Sequence, residues 1–487
     1  MKSTWVQVIL GLFLILVFGS GSLLNASARD AKAPEDEQPG ERIFLPVVRN
    51  NYPLPMSVFG VEVTPGWIAR TSEKAQQARV TWVRYNGIAW HEVEAQRGII
   101  DWSVLSSFEN EMIRLNQAGI SPMVIVRGVP EWAQIPDSQY VGYTCGPIDS
   151  AALGDFANFL NAVVSRYSKP PFNVHYWELG NEPDVDPDYV YADPPYGCWG
   201  DDADPYYGAA RYSQMLSVAY PAIKGADPSA QVILGGLLLD CDPTNPPENY
   251  NCTPGNFLEG VLRSGGGQYL DVIAYHSYPY WYGADSFDWD LNYQKWKDRG
   301  GILLGKADFI REVMARYGVQ KPILMNEGGL MCGFPSTHPR YPECQETAFN
   351  GLQANHLIRL YTRSWAVGLE GVAWYTLNGP GWREGGLLNS DASARLSYQT
   401  LEFLSNLLLE ARFSHQLASG TLEGYEFVSL ERSGPRYQIY WSNDLSTFPV
   451  DLPAGTSAVY DRYGGLVAYG GNQLQVGFDP VVIVFEP

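Results

Sequence analysis

Eight short apolar runs, each followed by an amphipathic stretch, restrict this chain to few folds. The runs lie at 57–63, 81–85, 121–127, 173–179, 231–238, 271–276, 322–326 and 371–375. Helical patterns follow them at 72–78, 104–118, 151–168, 209–224, 256–263, 306–317, 348–367 and 395–410. Such alternation is the habit of βα units on a parallel sheet, and eight units close most simply into a (β/α)8 TIM barrel. Beyond Glu410 the period shortens to alternating strands at 425–431, 436–441, 458–461 and 481–486, which predicts a small C-terminal all-β, sandwich-like domain. The expected organisation is a signal peptide at 1–28, a linker at 29–54, a catalytic barrel at 55–411 and the β-domain at 412–487, with 42–48 a candidate extra strand of the latter.

The N-terminus carries Lys2, an apolar run to Phe18 that is short for a bilayer span, and Ala26-Ser27-Ala28, which together read as a cleaved secretory signal. The mature chain is therefore expected to be secreted and extracellular, with no membrane partner. Six cysteines in that compartment favour disulfides. Cys241 with Cys252 and Cys332 with Cys344 are each close enough to staple one loop, which leaves Cys145 with Cys198. A formal net charge of -20 with no basic run argues against a nucleic-acid partner and fits a neutral or cationic substrate. Aromatic residues make up 13% of the chain, and many lie in Pro/Gly-rich loops where they can present flat faces to sugar rings.

Two of the runs end on a glutamate. Strand four leads through Leu179 to Gly180-Asn181-Glu182-Pro183, and Pro183 cannot donate to a ladder. Glu182 thus stands at a carboxyl-terminal strand edge, where barrel substrates bind, and reads as a general acid/base. Strand seven ends Met325-Asn326-Glu327-Gly328-Gly329, whose glycines let the backbone bend and a ligand approach. Glutamates on well-separated strands can face each other across a sugar, and at about 5 Å they suit a double displacement with one as nucleophile. His276 and Tyr278, two apart at the end of strand six, share a face and are placed to tune the acid/base and orient the nucleophile. Arg84, near the end of strand two, can keep the nucleophile ionised or pair with Glu178. Trp374 on strand eight is a candidate platform for the reacting ring, or a core residue as a strand Trp more often is, and Trp132, after strand three, is a candidate stacking residue. Trp90, Glu94, Gly98, Asp101 and Trp102 look like positioning elements. Asp184, Asp186 and Asp188 alternate like calcium ligands, but Tyr189 and Pro195 stand where a calcium loop has its glycine and final glutamate. Neither a metal nor a cofactor is expected.

Trp177-Glu178-x-x-Asn181-Glu182-Pro183, with Glu327, His276-x-Tyr278 and Trp374 on three further strands, resembles the clan A glycoside hydrolases, retaining enzymes on (β/α)8 barrels. The run from Trp90 to Trp102 and Pro130-Glu131-Trp132-Ala133 look most like family 39, the β-xylosidase and α-L-iduronidase group, with family 5 endoglycanases next. The chain departs from that pattern after Arg84, where Tyr85 and Asn86 stand in place of the usual His. The resemblance implies Glu182 as acid/base, Glu327 as nucleophile, Asn181 as donor to the sugar 2-hydroxyl, Tyr278 and Arg84 as partners of the nucleophile, and Trp374 as the platform of the reacting subsite. The expected function is a secreted retaining glycoside hydrolase that cleaves O-glycosidic bonds of a polysaccharide or oligosaccharide. A transglycosylase would use the same residues, and a non-catalytic carbohydrate-binding barrel is the other alternative.

Overall fold

The eight apolar runs become the parallel strands of one barrel: β1 (Phe59–Glu62), β2 (Trp82–Ala89), β3 (Ser121–Arg127), β4 (Tyr176–Leu179), β5 (Gln231–Leu234), β6 (Ile273–Ser277), β7 (Ile323–Gly328) and β8 (Gly371–Trp374). The structure, a computed structural model, describes residues 57–136, 142–186, 196–283 and 287–486. The expected signal peptide, linker and strand at 42–48 lie outside the described residues, as do Asp188, Tyr189 and Pro195. Strands pair in parallel from β5 back to β1 and on through β8 and β7 to β6. Bridges from Ile233 to Val272 and from Leu237 to Tyr275 join β5 to β6 and close the ring. Helices α1 (Ile68–Gln77), α2 (Ser106–Gln117), α3 (Leu153–Tyr167), α4 (Ala209–Ala226), α5 (Phe257–Arg263), α6 (Ile302–Arg316), α7 (Thr347–Ala366) and α8 (Leu396–Leu408) follow the strands in turn.

Alternate strand residues point into the barrel, and two successive layers of them have opposite character. The first is apolar: Trp82, Met123, Tyr176, Ile233, Leu324 and Ala373 belong to one buried cluster. Gly60 completes it by absence, since a Cβ there would lie 2.1 Å from the Trp82 indole. Two residues further along the strands the layer is polar, with Glu62, Arg84, Glu178 and His276 all buried. An apolar plug therefore closes the barrel beneath a set of ionisable groups that must satisfy one another.

The loops on the carboxyl-terminal side are the long ones, and three disulfides brace them as the cysteine spacing predicts. Cys145–Cys198 ties the loops after β3 and β4, Cys241–Cys252 closes the loop after β5, and Cys332–Cys344 the loop after β7. Among the described residues, no helix is long and apolar enough to cross a membrane.

The C-terminal part is all β, as expected: β9 (Ala411–Ala418), β10 (Leu422–Ser429), β11 (Arg436–Ser442), β12 (Phe448–Asp451), β13 (Thr456–Tyr460), β14 (Gln473–Val476) and β15 (Val481–Phe485). A five-stranded sheet runs β9-β10-β11-β15-β13, and the pair β12-β14 packs on it around Tyr440, Val450, Val459, Leu474, Val476 and Ile483. Sequence pattern misses β9, β12 and β14. β9 is an edge strand with Arg412, Ser414, His415 and Gln416 exposed, so it lacks clean alternation, and β12 contains Pro449.

Candidate active site

Arg84 is the hub of the polar layer. Its Nε and Nη2 donate to the two oxygens of Glu178 at 2.8 Å each, which fixes the plane of the guanidinium. Nη1 then reaches Glu62 at 2.6 Å and the Glu327 carboxylate, and Nη2 reaches the Asn181 side-chain oxygen at 2.6 Å. The two partners weighed from the sequence, Glu178 and Glu327, are thus both engaged. Tyr278 donates to the other oxygen of Glu327. Burial, then the charge of Glu327, raises the Tyr278 phenol well above its ordinary range and keeps it a donor.

Glu182 is placed by a strained turn. Gly180 and Glu182 both adopt left-handed backbone, at φ 83° and 43°, and the second is uncommon for a residue with a side chain. A hydrogen bond of 2.9 Å from the Glu182 amide to the Gly236 carbonyl pins that turn to the loop after β5. The carboxyl group meets His276 Nδ1 at 2.7 Å, and the same nitrogen is 3.3 Å from Glu327. One donor atom each of Glu182, His276 and Glu327 lie within 4.8 Å of one another. Those three residues are close enough to hold a metal ion, but the Arg84 guanidinium already brings positive charge to Glu327.

The two carboxyl groups sit in different electrostatic surroundings. Burial raises Glu182 to about 7, against the opposing pull of Arg84 and Lys306. Burial also lowers His276 to about 4, so its imidazole is neutral near pH 7 and does not hold Glu182 in the charged form. Glu62 is raised well above its ordinary value by burial and by the charge of Glu327, against the pull of Arg84. Polar burial of this kind leaves one group able to give up a proton and another clamped by donors.

Several predicted residues fall elsewhere. Trp374 has no exposed surface, and its indole donates to the Gly385 carbonyl at 2.8 Å. Its outward side belongs to the main core, so it does not form the expected platform; the next residue, Tyr375, is partly exposed and stands edge-on to Tyr278 at 5.9 Å. Trp132 packs edge-on to Trp90 at 5.3 Å and donates to the Glu94 carbonyl at 3.1 Å, beneath Arg97. Glu94 accepts from the Trp90 indole and the Gly98 amide at 2.7 Å each, which makes the run from Trp90 a brace for the loop. Asp184 is also a brace, with its oxygens 2.8 Å from the amides of Leu238 and Leu239.

Sequence reasoning missed two buried ionisable groups. Glu62 was visible as a carboxylate inside an apolar run. Lys306 was hidden in a helix pattern; its Nζ donates to the carbonyls of Leu238 at 2.5 Å and His276 at 2.9 Å and ties α6 to the ends of β5 and β6.

No protein-family model and no curated protein matches this chain. Solved structures do. They include a family 39 glycoside hydrolase from the gut symbiont Bacteroides cellulosilyticus WH2, 21% identical with a TM-score of 0.64, covering 88% of this chain and 80% of that one. A GH30 endoxylanase from Clostridium papyrosolvens C71 is 11% identical with a TM-score of 0.55, covering 89% and 97%. A family 51 alpha-L-arabinofuranosidase from Bifidobacterium longum is 14% identical with a TM-score of 0.53, covering 89% and 96%. The fold is one that glycoside hydrolases use.

Proposed function

We propose that this chain is an exported retaining glycoside hydrolase acting on a polysaccharide or oligosaccharide, with residues 55–411 carrying the chemistry. The observation that carries the reading is the Glu182–Glu327 pair, whose donor atoms lie within 4.8 Å of each other across the mouth of the barrel. Spacing that short suits direct attack by a carboxylate, whereas inverting enzymes keep their carboxyl groups about 6.5–9.5 Å apart to admit a water. The apolar N-terminus and three disulfides support export.

In this reading Glu327 attacks the anomeric carbon while the protonated Glu182 gives its proton to the leaving oxygen, so the glycosidic bond breaks as the ester to Glu327 forms. Water then attacks the anomeric carbon, Glu182 takes its proton, and Glu327 leaves as a carboxylate. Donors on Arg84 and Tyr278 receive that returning charge. Arg84 donates to the Asn181 side-chain oxygen and so fixes that amide, whose nitrogen is in this reading the donor to the sugar 2-hydroxyl.

The test is product release from a panel of β-linked polysaccharides and aryl glycosides by the mature protein, beside Glu182→Gln and Glu327→Gln. The expected result is release by wild type and loss of about 10⁴-fold or more in Glu327→Gln. Glu182→Gln should lose about 10²–10⁴-fold on substrates with poor leaving groups. Turnover by Glu327→Gln near the wild-type rate would sink the assignment.

A further inference from the structure

Three loops meet beside Glu327, and among the large rings they hold out to solvent is an indole next to Tyr278. Trp382, in the loop after β8, is 49% exposed. Its ring stands edge-on to Tyr278 and to Tyr280, with centroids 6.2 Å away in each case. Tyr278 donates to Glu327, so exposed indole surface begins one ring away from the candidate nucleophile.

Single exposed apolar residues are ordinary, but this one is mounted. The Arg383 guanidinium lies 5.2 Å from the Trp382 ring centroid and 5.5 Å from that of Tyr280. It also donates to the carbonyls of Cys332 and Gly333, at 3.0 and 3.1 Å, in the disulfide-braced loop after β7. Glu384 is buried, pairs with Arg395 at 2.7 Å and accepts from the Tyr341 hydroxyl at 2.8 Å. Arg383 and Glu384 both hold left-handed backbone, at φ 49° and 58°, which non-glycine residues keep only where their surroundings fix them. Exposed indole surface held in place by such a frame is unfavourable in water and is relieved when a flat ligand with apolar C–H groups covers it. A pyranose ring is such a ligand.

Resting on the hydrolase reading above, we propose that Trp382 is the stacking platform for a sugar unit adjoining the one that reacts. The substrate is then a saccharide chain rather than a simple monoglycoside, and Arg383 is the positioning residue that sets the angle of the platform.

The test compares wild type, Trp382→Ala, Trp382→Phe and Arg383→Met on aryl monoglycosides and on β-linked xylo-, manno- and cello-oligosaccharides from disaccharide to hexasaccharide. Trp382→Ala is expected to raise KM about tenfold on chains that reach the platform, with a smaller change in kcat. The loss should grow from monoglycoside to chain, and Trp382→Phe should recover most of it. Equal losses at every length would overturn the proposal, because Trp382 would then only support Tyr278; no loss at any length would overturn it as well. Calorimetry of the hexasaccharides with Glu182→Gln, with and without Trp382→Ala, separates the two readings. Trp382-dependent binding by a protein that hydrolyses nothing defeats the hydrolase reading and supports the platform. Hydrolysis together with Trp382-independent binding defeats the platform alone.

Discussion

Two buried arginines each gather three carboxylates, and the surroundings give the two clusters different uses. In the barrel, Arg84 meets Glu62, Glu178 and Glu327. On α7, Arg363 meets Asp288 and Asp290 from the loop after β6 and Glu423 from β10. Around Arg363 the charge is shared out: Arg359 stands 3.8 Å from Asp288, and Tyr425 and Asn443 donate to Glu423 at 2.6 and 2.7 Å. Burial pushes Asp288 and Glu423 up, but the arginines outweigh it and hold both below their ordinary values. Asp290 alone is pushed up, to about 6, by burial. Around Arg84 one guanidinium serves three carboxylates, and burial with the charge of Glu327 holds Glu62 well above its ordinary value. The compensated cluster ties the β-sheet to the loop that begins at Tyr278, whereas the under-compensated one leaves a carboxyl group with a raised pKa inside the barrel. Ion pairs of the first kind hold a shape, and those of the second kind support chemistry.

The largest effects should come from removing either hub. Arg84→Met and Arg363→Met should each cost about 3–5 kcal/mol in urea unfolding, because each strands buried carboxylates. At temperatures where both remain folded, only Arg84→Met should abolish turnover; retained activity there would break the contrast.

Glu423→Gln should cost about 2 kcal/mol at neutral pH, since it removes charged hydrogen bonds to Arg363. Its folded pKa is depressed, so the stability that it provides is present above the ordinary glutamate value and is lost as pH falls through the folded value. Stability curves of wild type and variant should converge in acid.

Glu182 gives the kinetic counterpart. In the proposed mechanism its protonated form is the acid, and burial raises its pKa to about 7. The kcat/KM profile should therefore have a basic limb near 7, falling about tenfold per pH unit above it. A rate that stays flat through alkaline pH would remove Glu182 from the acid role.

Glu62→Gln should be the mildest change in acid, within about 1 kcal/mol at pH below the ordinary glutamate value, where wild type carries its proton in both the folded and the unfolded state. The sign with pH is opposite to that of Glu423. A raised folded pKa makes wild type lose stability as pH climbs from the ordinary glutamate value towards the folded one, and Gln removes that loss. Unfolding midpoints of the pair across pH measure it.

Much of this was legible in the sequence because the barrel repeats one pattern. β3 matches its predicted range residue for residue, and Glu182, just past the end of β4, and Glu327, near the end of β7, are both visible as glutamates that follow apolar runs. β2 runs on past Tyr85 to Ala89, since a register shift between Asn86 and Ile88 carries the strand across Gly87. Trp374 takes the core side of its two readings; strand pattern does not say which face a residue takes where register shifts, and β8 shifts against β7 between Val372 and Trp374. The charges of the polar layer were hidden for another reason. Whether Glu62 is protonated depends on residues 22 and 265 positions away, Arg84 and Glu327, that only closure of the barrel brings together.

The most direct measurement is mass spectrometry of Glu182→Gln incubated with an activated aryl glycoside that wild type cleaves. A good leaving group needs no acid in the first step, and the missing base slows the second, so a glycosyl adduct should accumulate on the peptide that contains Glu327. An adduct at another residue, or turnover with no covalent species, would contradict a retaining mechanism through Glu327.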